Sequence, residues 1–329
     1  MNLVRAEAHR LASRGFVRLM VALLLAAFGV TIATTLAGSH QPTQEEVLTA
    51  QREADDAFYT MQRYYSDCLE RQRFDAPPED PAVAPPDCER VRPVRPSLAT
   101  YLAGVFVFER EIKPLSYFLI AFLVLFGFLV GASAVGAELT SGGMTNMLLW
   151  RPERMTVLGV KLGTVLGATL AVSVAATVGY VGIFRLIAEV AGLPGRLGGE
   201  FWGGLLLMLA RGLVLVLLAT ATGFAIATLG RHTAAALGVV AAYGVIWEAG
   251  ARIVMEISQT TRSDLWMLST HIAAWLRGRL ELWDLSGCSG FACSPMYTLT
   301  ATQSFIVLLA VTGGCVGAAF AAFRRRDLA

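Results

Sequence analysis

A chain of 329 residues that is 55% hydrophobic and only 16% charged, with a mean hydropathy of +0.57, carries more apolar side chain than a water-soluble domain can bury. Its solvent is lipid. A formal net charge of +2, with basic residues in short clusters rather than along one stripe, excludes a nucleic-acid footprint.

Six apolar runs are each long enough to cross about 30 Å of hydrocarbon: 17–38, 115–137, 162–188, 203–229, 234–255 and 304–323. They predict an all-α integral membrane protein. Residues 1–16 precede the first run. On a helical wheel Val4, Ala8, Leu11, Ala12, Gly15 and Leu19 share one arc and Glu7, Arg10, Arg14 and Arg18 the other, which predicts an amphipathic elbow helix. Its apolar face should lie in the inner leaflet and its arginines should face anionic head groups. The 17–38 run is too long for a signal peptide and shows no small-x-small cleavage site above its Ala-rich background, so it is read as a retained span.

Residues 39–114 form an extracytoplasmic insert. Mixed charges run through a helix-compatible stretch at 43–73, and then Pro77, Pro78, Pro81, Pro85, Pro86, Pro93 and Pro96 break regular structure. The expectation is a helical, proline-rich insert with an extended return. Cys68 and Cys88 lie here, and Cys288 and Cys293 lie in a second outer segment, 257–303. An oxidising exterior permits a bridge in each, with unpaired cysteines in polar loops as the alternative. Cys315, in the last span, is a small packing residue.

Residues 115–256 hold spans two to five, and 304–329 hold the sixth span and a basic tail. Small residues recur at four-residue spacing in Gly127 and Gly131, in Gly159, Gly163 and Gly167, and in Gly313 and Gly317, a pattern that lets helices approach closely. With six spans, the cationic clusters at Arg5 to Arg18, at Arg151, Arg154 and Lys161, at Arg231 and at Arg324 to Arg326 all fall on one side. The positive-inside rule makes that side the cytoplasm, with Arg262, Arg277 and Arg279 as a mild counterweight. Both termini are then cytoplasmic, and the membrane is a bacterial inner (plasma) membrane.

Six charges fall inside or at the ends of the spans, where an unpaired one costs at least about 2.5 kcal/mol. They are Arg185, Glu189, Arg211, Glu248, Arg252 and Glu256, all expected in the outer half of the bilayer. Four-residue spacing allows Arg185 to meet Glu189 and Glu248 to meet Arg252, and similar depth allows Arg211 to meet Glu248. Two roles stand open: ion pairs that hold spans three to five together, or charges lining a cavity through which a substrate leaves.

Machinery for catalysis is missing. No Gly-x-x-x-x-Gly-Lys-Ser/Thr loop occurs, so any ATP must be bound by another chain. The four histidines, His9, His40, His232 and His271, show no metal-ligand spacing, and no Gly-x-Ser-x-Gly occurs. The chain is read as a non-enzyme that binds no metal or cofactor.

The connection after the second span, 138–154, holds Glu138, Thr140, Gly142, Gly143, Met144, Met147, Leu148, Leu149 and Trp150 before Arg151, Pro152 and Arg154. Exposed methionines and a tryptophan on a short cytoplasmic segment make a docking surface for a soluble partner, or else a face that lies on the inner leaflet. The run Gly136-Ala-Glu-Leu-Thr-Ser-Gly-Gly-Met-Thr-Asn-Met-Leu-Leu-Trp-Arg-Pro-Glu-Arg, continuing to Lys161, resembles the permease subunits of type-2 ATP-binding-cassette (ABC) exporters. Those permeases carry an acidic residue where the second span ends, a Gly-Thr-like turn, an apolar coupling helix, a Pro or basic break and a Lys opening the third span. Here Glu138, Gly142 or Gly143, residues 147–150, residues 151–154 and Lys161 take those places, and Met144 stands where threonine is usual. The resemblance extends to the amino-terminal opening and the Arg-rich end, but the insert is larger than the family's usual first loop.

The resemblance implies a coupling helix at 138–154 seated on cytoplasmic ABC ATPase subunits, two copies of which hold the ATP and Mg. It also implies a second permease copy or paralogue, contacts with membrane lipids, and outward movement of a hydrophobic or amphipathic substrate. Re-entrant or interfacial helices are implied between the fifth and sixth spans, and residues 265–283, with Trp266, Trp275 and Trp283, fit that place. Two other classes stand beside this one: a membrane-embedded lipid-modifying enzyme, and a membrane sensor or assembly factor that uses 41–114.

Overall fold

The computed structural model describes residues 3–74, 88–143, 153–258, 260–283 and 296–325. Its helices are α1 (Leu3–Ser13), α2 (Gly15–Ala37), α3 (Gln44–Phe74), α4 (Phe108–Thr140), α5 (Arg154–Ala191), α6 (Gly199–Gly230), α7 (Thr233–Ala242), α8 (Arg252–Ile257), α9 (Leu268–Arg277) and α10 (Ala301–Arg325), with a π-helical stretch Tyr243–Ala251 joining α7 to α8. Six segments are long and apolar enough to cross a membrane: α2, α4, α5, α6, the composite Thr233–Ile257, and α10. Each coincides with a run read from the sequence. The helices outlast the runs, however. α4 begins at Phe108 and carries Pro114 inside it.

The chain forms two compact units, one of Met1–Val30, Pro114–Val181 and Gly199–Ala329, the other of Thr31–Lys113 and Gly182–Gly198. In the first, Phe128, Ala132 and Val135 of α4 pack with Val157 and Leu158 of α5, Phe224 and Ala227 of α6, and Phe323 of α10. Glycine sets the α4 to α6 distance. A Cβ on Gly131 would stand 2.2 Å from the Thr220 carbonyl oxygen, and one on Gly127 2.5 Å from Thr220 Oγ1. By contrast Gly159, Gly163, Gly167, Gly313 and Gly317 have no atom within 4 Å of that position. Only the first of the three expected small-residue stripes therefore brings helices together within this chain.

Between α8 and α10 the structure corrects the expectation of helix throughout. α9 stops at Gly278, whose φ of 89° no side chain favours, and β3 (Arg279–Trp283) pairs antiparallel with β4 (Met296–Thr300). The alternation Arg279-Leu280-Glu281-Leu282-Trp283 has the period of a strand, which is the physical reason the helical reading fails there. At the β4 to α10 junction, Thr300 and Gln303 form a reciprocal capping box: the Thr300 N–H donates to Gln303 Oε1 (3.1 Å) and the Gln303 N–H to Thr300 Oγ1 (3.4 Å).

The second unit opens with another capping box. The Thr43 N–H donates to Glu46 Oε2 (2.7 Å) and the Glu46 N–H to Thr43 Oγ1 (3.3 Å), starting the 31-residue α3. The Thr43 amide, then His40, hold the Glu46 carboxyl below its ordinary value. Ala50 of α3 joins Ala99, Leu102, Val105 and Val107 in a small core. Ser39 stitches the loops: its Oγ accepts from the Phe106 N–H at 2.8 Å and donates to the Ala191 carbonyl. Next to it β1 (Phe106–Val107) and β2 (Gly192–Leu193) pair in parallel, Phe106 against Gly192 and Val107 against Leu193. Cys68 and Cys88 form the expected disulfide, 20 residues apart in sequence. Cys288, Cys293 and the prolines from Pro77 to Pro86 lie outside the described residues.

Candidate functional site

Charge is most deeply buried where α1, the end of α4 and the start of α5 meet. Lys161, 3% exposed, lies two turns into α5, and its Nζ stands 2.6 Å from Glu7 Oε2 of α1 and 2.6 Å from Glu138 Oε2 in the last turn of α4. Arg14, at the break between α1 and α2, pairs with Glu138 and donates to the carbonyls of Ser133 (2.9 Å) and Ala134 (3.0 Å). Arg10 meets Glu7 at 3.3 Å from an exposed position. Two carboxylates, the buried Lys161 and the half-buried Arg14 thus neutralise one another. The space beside them measures about 10 Å³, the lower limit for one water.

This arrangement corrects the elbow reading. Ala8 and Ala12 are exposed as an outward apolar face requires, but Leu11 packs on Phe126, Val130 and Val165. Glu7 and Arg14 turn into the protein, not toward head groups. The sequence singled out Glu138 and Lys161 but gave no sign that Glu7 joins them, because partners 154 residues apart leave no periodic trace.

α4 ends two residues before Gly142, whose φ of 72° is the left-handed conformation that commonly terminates helices. Arg154 opens α5. Between them Met144, Met147, Leu148, Trp150 and Arg151 lie outside the described residues.

The outer charges are redistributed. Arg185 pairs with Glu189 at 2.9 Å, as their spacing required, and lies over the ring of buried Phe108. Glu248 meets neither Arg252 nor Arg211. It accepts from the Ser269 N–H (3.0 Å) and Oγ–H (2.7 Å) at the start of α9, and from the Tyr243 hydroxyl (3.0 Å), which itself accepts from the Leu268 N–H. Arg252 pairs with Asp264 at 2.9 Å, and Glu256 is exposed. Both side chains are taken by partners in the segment that follows the helix, Glu248 by Ser269 and Arg252 by Asp264, and within the π-helical stretch the Tyr243 to Glu248 contact spans five residues.

Arg211 sits at the other end of α9. Its guanidinium lies over the Trp275 ring at 5.8 Å, its carbonyl accepts from Trp275 Nε1 (2.9 Å), and a Cβ on Gly278 would come within 2.6 Å of its Nη1. α9 is therefore held between a carboxylate at its positive end and a guanidinium at its negative end, the polarity that the helix dipole favours. Trp266 and Trp283 are exposed, while Trp275 stacks on Phe305.

Six candidate spans, cationic helix ends and a buried charged junction describe a membrane protein built around its interhelical loops. The family model of the ABC-2 family transporter protein matches residues 1–328. The chain belongs to this family. No curated protein and no solved structure matches it. As an ABC-2 family member it is a multi-pass membrane protein and the permease component of an ABC transporter, a non-catalytic transport subunit whose partner is an ABC ATPase.

Proposed function

We propose that this permease exports a hydrophobic or amphipathic substrate, driven by ATP hydrolysis on two cytoplasmic ATPase subunits that carry the ATP and Mg, with a second permease copy or paralogue completing the complex. The termini and residues 138–154 face the cytoplasm of a bacterial inner membrane, and the insert at 39–114 faces out. Glu138, Gly142, Met144, Met147, Leu148, Trp150, Arg151 and Arg154 form the segment that seats on the ATPase. The observation that carries this reading is the junction of Glu7, Arg14, Glu138 and Lys161, which supports a mechanism in which force at residues 138–154 moves α1, α4 and α5 together. Breaking that junction would leave charges buried and unpaired, so the three helices follow the loop instead of separating from it. Nucleotide then favours whichever arrangement the closed ATPase pair binds better.

The test is a co-expressed ABC ATPase. It should copurify with the wild-type permease, and replacing Met147 and Leu148 together with aspartate should abolish recovery of the ATPase while the permease still elutes as a folded particle. An isolated chain that modifies lipid without ATP, or labelling of position 150 from outside the cell, would overturn the proposal.

A further inference from the structure

The second unit carries an open pocket of about 600 Å³, within the range of small-molecule sites. Leu98 and Leu193 lie on its apolar part, and Leu98 remains 40% exposed although nothing functional follows from leaving it uncovered. Four charged residues line the same space. Arg95 and Asp55 pair at 2.6 Å, so that Asp55 holds the Arg95 guanidinium above its ordinary pKa. Glu109 accepts from the backbone N–H of Arg196 at 2.7 Å, which leaves the exposed Arg196 side chain outside that bond. Gly195 makes the approach possible: its φ is 73°, and a Cβ there would stand 2.6 Å from the Glu109 Cβ.

The four charges sum to zero. A ligand of one sign would meet two attracting and two repelling groups, whereas a ligand that carries both signs finds a partner for each. We propose that this pocket binds a net-neutral amphipathic small molecule, with its apolar body against Leu98 and Leu193 and a zwitterionic head among Arg95, Asp55, Glu109 and Arg196. Binding there requires neither ATP nor a direction of transport.

The test uses the full chain in an uncharged maltoside detergent and three fluorescent probes that share one short acyl chain and differ only in head group: phosphocholine, a methyl phosphodiester and trimethylammonium. Anisotropy titrations should show saturable binding of the phosphocholine probe, tighter than that of either singly charged probe. Arg196→Ala keeps the backbone N–H that meets Glu109 and removes one charge-assisted contact, so it should weaken binding about tenfold. Leu98→Asn should cost a similar factor, since it withdraws apolar surface that the acyl chain of the probe would cover. Absence of saturation, equal or tighter binding of a singly charged probe, or unaltered affinity in both variants would each overturn the site. The head-group series needs no variant, and the assay contains no ATPase, so its failure leaves the transport proposal standing.

Discussion

Lys161 shows how one side chain can commit three helices. It meets Glu7 and Glu138 at 2.6 Å each while 3% exposed, so neither carboxylate has bulk water as a substitute partner. Lys161→Met should destabilise the folded permease by about 3–5 kcal/mol, read as a lowered thermal midpoint in detergent, because it leaves the buried Glu7 carboxylate to the exposed Arg10 and Glu138 to Arg14, with one positive charge fewer between them. Adding Glu7→Gln should recover part of that loss, since it removes one of the orphaned charges. A midpoint unchanged in Lys161→Met would show that the junction is solvated. Glu46 acts in the opposite setting, with its side chain 42% exposed at the start of α3. Because its carboxyl is held below the ordinary 4.5, its cap contributes above that pH and is lost as pH falls through the lowered value.

At the scale of elements, spacing misleads where the local helix geometry differs from the one assumed. Gly131 and Gly163 look alike in sequence, yet Gly131→Ala would drive a methyl into the Thr220 carbonyl and should cost about 1–3 kcal/mol, whereas Gly163→Ala should leave the midpoint of the isolated chain unchanged. Thermal unfolding of the two variants side by side decides this. The π-helical stretch has the same lesson for charge. Glu248 is the expected partner of Arg252 or Arg211, but it accepts instead from the amide and hydroxyl of Ser269 at the start of α9. Glu248→Ala should therefore speed amide exchange at residues 268–277, because the exposed Ser269 amide at the start of α9 loses its carboxylate acceptor, a capping loss of about 0.5–2 kcal/mol. If exchange accelerates at Arg252 and not in α9, the capping role fails.

At the scale of the whole molecule, orientation is the claim that everything functional uses. Single cysteines at Arg154 and at Arg325, in a background lacking Cys315, should react with a membrane-impermeant maleimide only after the cell is opened, and one at Asp55 should react in intact cells. The reverse pattern would place the ATPase on the wrong side. The six spans were legible from the chain alone, because about twenty consecutive apolar residues have no other favourable solvent than lipid, and the Cys68 to Cys88 bridge was foreseen from its placement in a segment read as external. Local composition suffices for such features: each is set by what a segment is made of. Tertiary structure alone decided that Glu7 joins Lys161, that Arg211 and Glu248 bracket α9 and do not pair, that Gly131 and not Gly163 admits a neighbouring helix, and that residues 279–283 form a strand. Those outcomes depend on which surfaces meet across tens or hundreds of residues, and a contact of that kind is fixed by distance and packing in space, where sequence periodicity has no say.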